Sequence, residues 1–249
     1  GPRMTDPLIV LSDRYAAQAV DRMKLAPDSV SSVRGAVDTE EYRPVQPPPE
    51  LRTRLGLGAQ DVVFGVVARV QWHRRFDVLL EAALRVQRQS RRIKIAVCGR
   101  GTHKREILDE PLARLGLEGT VLPLGYRTDD YMDVLSTFDA GLMLAPGSDG
   151  SCRAALQMAA MGKPLLVARR GTLPDIVVDG ETGVVIDDSP ANLAEAMLQV
   201  AADGDARRRW GVAGRRRMEE HFSLSVQAER VRQVYEKVLG RRPEPAHAP

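Results

Sequence analysis

Aromatic residues make up only 4% of the 249-residue chain, with two tryptophans, five tyrosines and four phenylalanines. Flat side chains on which unpaired bases stack are scarce, which counts against a nucleic-acid partner. Cysteine is rarer still. Cys98 and Cys152 stand far apart, in no Cys-x-x-Cys or Cys/His metal spacing, so the simpler expectation is a reduced, cytoplasmic setting. No apolar run reaches the length of a bilayer-spanning helix, and the first residues lack the basic and apolar regions of a signal peptide. Gly1-Pro2 reads as a protease-cleaved tag remnant. An excess of one charge is also lacking, since 36 Lys and Arg face 33 Asp and Glu for a net +3. The densest basic run, Arg207, Arg208 and Arg209 with Arg215, Arg216 and Arg217, has helical spacing. It reads as a solvated helix face, and it lends no support to a peripheral membrane contact.

What is present fits an α/β domain. Apolar runs at 8–11, 30–33, 62–67, 93–97, 121–124, 140–144, 165–167 and 184–186 predict strands. Amphipathic stretches at 77–89, 105–115, 129–137, 151–161, 173–178 and 191–202 predict helices between them. Alternating strands and helices imply a doubly wound, Rossmann-like parallel sheet covered on both faces. The segment Pro44-Val45-Gln46-Pro47-Pro48-Pro49 interrupts the alternation and marks a boundary, because proline lacks the donor a central strand needs.

The most informative stretch runs from Gly147-Ser148-Asp149-Gly150-Ser151-Cys152 into Ala- and Met-rich helical sequence and ends in Gly162-Lys163-Pro164. A small polar turn ahead of a helix gathers backbone N–H groups at the positive end of the helix dipole, where anions bind. A second candidate is Arg69 at the end of the run 62–67, with Arg74 five residues on. Open α/β sheets bind ligands at that edge, and paired cations there suit a diphosphate.

These segments resemble the retaining glycosyltransferases of family 4. In that signature an acidic residue in a glycine-rich turn is followed eight positions later by a glutamate, then by an Ala/Met-rich turn and Gly-x-Pro. Asp149 and Gln157 occupy the two acidic positions here. Further matches are Ala68-Arg69 for the family's Gly-Arg, Arg74-Arg75 for its Lys-Gly, and Gly99-Arg100-Gly101. Gly125-Tyr126-Arg127, Gly171 to Val177 and Asp179 to Gly183 complete them.

The resemblance implies the C-terminal, donor-binding lobe of a glycosyltransferase-B fold, moving a sugar from a nucleoside diphosphate sugar to an acceptor hydroxyl with no metal or other cofactor. It implies catalytic roles for Arg69, Arg74 and Asp149, and donor contacts from Gly99, Arg100, Tyr126, Arg127, Gly150, Ser151, Cys152 and Gln157. Arg75, where the family has glycine, would crowd the pocket or add a third cation. Tyr126 would edge the base or anchor its loop against the core, and His73 would lie near the donor. Lys163, Arg169 and Arg170 are expected in solvent. Cys152 is expected as a small buried side chain in a glycine position rather than a nucleophile served by His73 or His103.

The implied organisation follows. Residues 1–43 are a tag remnant plus the end of an N-terminal lobe and an inter-lobe segment, and 44–60 a Pro-rich linker with a lead-in helix. Residues 61–188 are the nucleotide-sugar-binding domain, 189–240 helices crossing back toward an N-terminal acceptor lobe, and 241–249 a disordered tail. Without that lobe, the chain is expected to be inactive and to self-associate through 8–11 and its last helix. The alternative is a non-catalytic nucleotide-sugar-binding or interaction domain derived from the same fold, as Ala68, Arg75 and Gln157 allow. A dinucleotide-dependent oxidoreductase is disfavoured, because Gly-x-Gly-x-x-Gly with a downstream acid is missing.

Overall fold

Six parallel strands take up the apolar runs from residue 62 onward in the computed structural model, which describes residues 8–147 and 150–240. In chain order the elements are β1 (Leu8–Val10), α1 (Asp13–Met23), β2 (Val30–Ser32), α2 (Leu51–Arg54), β3 (Val62–Val67), α3 (Phe76–Gln89), β4 (Ile93–Cys98), α4 (Glu110–Arg114), β5 (Val121–Gly125), α5 (Tyr131–Ser136), β6 (Ala140–Met143), α6 (Arg153–Ala160), β7 (Leu165–Ala168), α7 (Leu173–Ile176), β8 (Gly183–Ile186), α8 (Pro190–Ala202), α9 (Gly204–His221) and α10 (Leu224–Leu239). The sheet runs β5-β4-β3-β6-β7-β8, all parallel. Strand order therefore reverses between β3 and β6, which is the switch point where such sheets leave a crevice. β1 and β2 pair in parallel apart from this sheet, joined through α1.

Strands buried on both faces need apolar residues at every position, and β3, β6 and β7 meet that demand. Their alternation sorts two cores. Phe64, Ile95, Leu142 and Leu166 pack on one face with residues of α3 and α8. Val63, Ala96, Met143 and Val167 pack on the other with residues of α5 and α6. Gly65 interrupts β3 for a packing reason, since a Cβ there would lie 1.9 Å from Cδ2 of the buried Phe138.

The basic run on α9 departs from the expected solvated face. Arg207 donates to the carbonyls of Val200 and Ala201, Arg215 to those of Tyr42 and Ala160, and Arg217 to those of Asp175 and Ile176. These three half-buried guanidinium groups satisfy carbonyls at the ends of α8, α6 and α7, where a helix leaves acceptors unpaired. Arg208, Arg209 and Arg216 are exposed. Beyond α9 the chain returns to its beginning. Val37 N donates to Phe222 O at 2.8 Å, and Gln227 on α10 donates to Arg34 O at 2.7 Å. Among the described residues no helix is long and apolar enough to cross a membrane.

Candidate functional site

The carboxyl ends of β3, β4 and β6 and the start of α6 surround a cleft of about 370 Å³. Its described lining contains five guanidinium groups, from Arg69, Arg74, Arg100, Arg127 and Arg153, and no carboxylate. The structure thus brings together the two arginines after β3, the turn after β4, the loop after β5 and the helix start after β6.

The loops after β3 and β4 are joined through their backbones. Ala68 N donates to Cys98 O and Val70 N to Arg100 O, both at 3.1 Å. This approach leaves no room for side chains on the β4 loop. A Cβ would fall 1.9 Å from Ala68 O at Gly99 and 2.0 Å from Val70 O at Gly101. The Gly-x-Gly spacing therefore records loop-to-loop contact. Val70 is fully buried and anchors the join, while Arg69 stays exposed at the cleft. Arg74 ends the turn Trp72–Arg74 and donates to Ala145 O at 3.3 Å, bridging the switch point from the β3 side to the β6 side.

At the β5 end, Arg127 donates to Leu124 O at 3.0 Å and to Asp130 at 2.9 Å, which braces its loop. Tyr126 is 59% exposed and does not anchor into the core. Arg100 lies over its ring instead.

Helix α6 starts at Arg153, two residues later than the sequence predicts. Its cap is Cys152, held at φ 50° and ψ 37° with no side-chain capping bond. That left-handed conformation favours glycine, consistent with the glycine position the resemblance assigns. Cys152 is buried, and its Sγ lies 3.3 Å from Thr172 Oγ1, which donates to Gly150 O at 2.8 Å. Ser151, Cys152, Arg153 and Ala154 all line the cleft, so the positive end of the α6 dipole faces it. One turn into α6, Gln157 Oε1 accepts from the Tyr131 hydroxyl at 2.8 Å. Burial pushes the Tyr131 phenol well above its ordinary range and the Cys98 thiol up to about 12.

Asp149, with Ser148, lies outside the described residues. Several other expectations change. Arg75 supplies no third cation to the cleft. Left-handed at φ 61°, it caps α3 and binds Asp77 and Asp188 on the far side of its loop. Lys163 is not a solvated charge either. It donates to Ser136 O at 2.8 Å, and burial pushes it down to about 8. Neither His73 nor His103 lines the cleft, and His103 pairs with Glu106 at 2.8 Å. Sequence reading missed Tyr131 and Arg153. Arg153 was within reach, because it precedes Gln157 by four residues on one helix face. Among the described residues no cluster of three or more metal-binding side chains occurs.

A protein-family model described as glycosyl transferases group 1 matches residues 49–217. A D-inositol 3-phosphate glycosyltransferase of Streptomyces scabiei is 30% identical over 246 residues, covering 94% of this chain and 54% of the relative. The chain spans about half the length of the curated relatives it matches. Among solved structures, a glycosyltransferase from Rickettsia africae superposes with a TM-score of 0.84 at 16% identity, over 95% of this chain and 64% of that one. HepE of Anabaena, crystallised with UDP and glucose, superposes with a TM-score of 0.79 at 18% identity, over 96% and 64%. At these identities the structural likeness shows a shared fold.

Proposed function

The chain belongs to the group 1 glycosyl transferases, and from that membership we propose that its cleft binds the diphosphate of a nucleoside diphosphate sugar. The sugar then passes to an acceptor hydroxyl with its anomeric configuration retained. The observation that carries this reading is the convergence of five guanidinium groups and the α6 N-terminus at the sheet's switch point. Its described lining is complementary to an anionic ligand of nucleotide size. The nucleotide named in the HepE complex supports the same occupant.

In the proposed reaction the bond from the anomeric carbon to the diphosphate oxygen breaks with its electron pair staying on the diphosphate, and the acceptor oxygen bonds that carbon as its proton passes to the departing diphosphate. Arg69, Arg74 and the N–H groups opening α6 stabilise the charge that grows there, the role of preorganised donors aimed at a leaving group. The proposal calls on no metal. Gly150, Ser151 and Cys152 shape the turn over the phosphates, and Asp149 positions the sugar. Gly99, Arg100, Tyr126 and Arg127 border the nucleoside. An acceptor lobe beyond this chain would complete the cleft, so the chain alone would bind donor and transfer little, because orientation and exclusion of water need both walls.

The test is a thermal-shift and calorimetric panel of UDP, GDP and ADP on the chain and on Arg69→Ala and Arg74→Ala. One base should bind, and each substitution should weaken it about tenfold or more, the scale of a lost charge-assisted bond. Absence of binding by every nucleotide, in this chain and in the full-length protein, would overturn the proposal. Gln157, uncharged where the resemblance places a glutamate, favours one second reading, a domain that binds nucleotide without transferring sugar. Nucleotide release from the sugar donor by the full-length protein separates the two.

A further inference from the structure

At the amino ends of β6 and β7, the sheet edge opposite the cleft, lies a second cavity of about 580 Å³. Lys163 lines it together with Arg52, Arg208, Arg215 and one carboxylate, Asp139. Each of the three arginines has a carboxylate partner. Arg52 has Asp139 at 3.6 Å, Arg208 has Asp205, and Arg215 has Glu219 at 2.6 Å. Lys163 pairs with no carboxylate among the described residues, and its Nζ donates to the carbonyl of Ser136 at 2.8 Å. Asp139 attracts it only from beyond pairing distance.

A buried ammonium without a paired carboxylate sheds its proton more easily than one in water. Burial and the neighbouring Arg52 bring Lys163 down to about 8, against the pull of Asp139. At neutral pH about a tenth of such a side chain is free amine, whereas an ordinary lysine holds far less than a hundredth. A free amine beside open space is a nucleophile. Its surroundings select the electrophile. Three guanidinium groups in one lining draw in an anionic reagent. A neutral adduct then removes the charge that burial opposes. An acyl phosphate meets both conditions, with a phosphate for the arginines and an acyl carbon for Nζ, and a cavity of this size admits it.

We propose that Lys163 is a modification site, acylated by small acyl phosphates that enter the cavity between α9 and the turn joining α6 to β7. The amine lone pair bonds the acyl carbon. The bond from that carbon to the phosphate oxygen breaks with its electron pair on the phosphate, and the proton lost from nitrogen passes to the departing phosphate. The amide formed keeps one N–H, so the carbonyl of Ser136 retains a donor.

Incubation of the chain with acetyl phosphate near neutral pH, followed by mass spectrometry of its peptides, compares Lys163 with Lys24, Lys94, Lys104 and Lys237 in one sample. Lys163 should be acetylated about tenfold faster than any of the others, because its larger share of free amine outweighs the lower nucleophilicity that accompanies a lowered pKa. Its rate should rise with pH only to about 8 and then level. Arg208 is exposed, so Arg208→Gln leaves the fold intact, with the melting temperature as control. That variant should slow acetylation of Lys163 by acetyl phosphate about threefold and leave its acetylation by the uncharged ester p-nitrophenyl acetate unchanged. Labelling of Lys163 no faster than that of the exposed Lys24, or a rate that keeps climbing well above pH 8, would overturn the proposal. A variant that slows both reagents alike, or neither, would overturn the recognition of an acyl phosphate.

Discussion

The Arg100 guanidinium carbon lies 4.4 Å from the centroid of the Tyr126 ring, in cation–π contact across two neighbouring loops. Because Tyr126 is mostly exposed, its ring contributes to the surface of the cleft rather than to the core. Tyr126→Ala should weaken nucleotide binding about fivefold, corresponding to about 1 kcal/mol for a lost stacking face, with no change in melting temperature. Tyr126→Phe should retain affinity. Calorimetric titration of both variants is the check, and full affinity in the alanine variant would remove the ring from the site.

Arg74 and Arg75 are adjacent in sequence and should behave oppositely. Arg75 pairs with Asp188, whose side chain is only 11% exposed. Arg75→Ala should cost about 2 kcal/mol of stability, the scale of weakening support for a buried carboxylate, and leave nucleotide affinity unchanged. Arg74→Ala should weaken the nucleotide about tenfold. Urea unfolding beside titration separates the two, and a large affinity loss in Arg75→Ala would return that residue to the cleft.

Gly101→Ala should destabilise the fold by about 2 kcal/mol or more, because the added methyl meets a backbone carbonyl that can retreat only by moving Val70. It should also weaken nucleotide binding, since Arg69 precedes Val70 on that loop. Gly119, where a Cβ would meet nothing within 4 Å, is the control, and its alanine variant should change stability by less than about 0.5 kcal/mol. Matching denaturation midpoints for the two variants would contradict the close approach.

Lys163 predicts a pH dependence of definite sign. Burial lowers its folded pKa to about 8 from 10.5, with Arg52 adding to the effect and Asp139 opposing it. Below pH 8 both states hold the proton and the cost of burying the charge is fully present. Between pH 8 and 10.5 the unfolded chain binds more protons than the folded one, so stability rises with pH there. Relative to Lys163→Met, the unsubstituted chain should gain up to about 3 kcal/mol across that window. Urea midpoints of both proteins from pH 7 upward measure the difference, and a flat difference would show that the ammonium is solvated.

The sheet was legible because burial on both faces demands uninterrupted apolar runs, and β3 and β7 can hardly be read otherwise. The arginines after β3 were legible from position, since a strand's carboxyl end is where such folds bind ligands. Direction was harder to read. Arg75 stands beside Arg74, but its left-handed backbone sends the side chain the other way, and residue type does not announce that turn. The arginines of α9 share one period, although three of them meet helix-end carbonyls that adjoin only after folding. Tyr131 sat in a stretch read as an ordinary amphipathic helix, because its partner on α6 is 26 residues away.

The backbone bonds joining Ala68 to Cys98 and Val70 to Arg100 make the β3 and β4 loops one mutational unit. A change that reshapes either loop reshapes both, and it moves Arg69 and Arg100 together. Divergence in ligand preference is thereby channelled away from loop shape and into the outer atoms of long side chains. Arginine suits that channel, since its guanidinium can be re-aimed through several rotatable bonds while the glycines beneath it stay where they are.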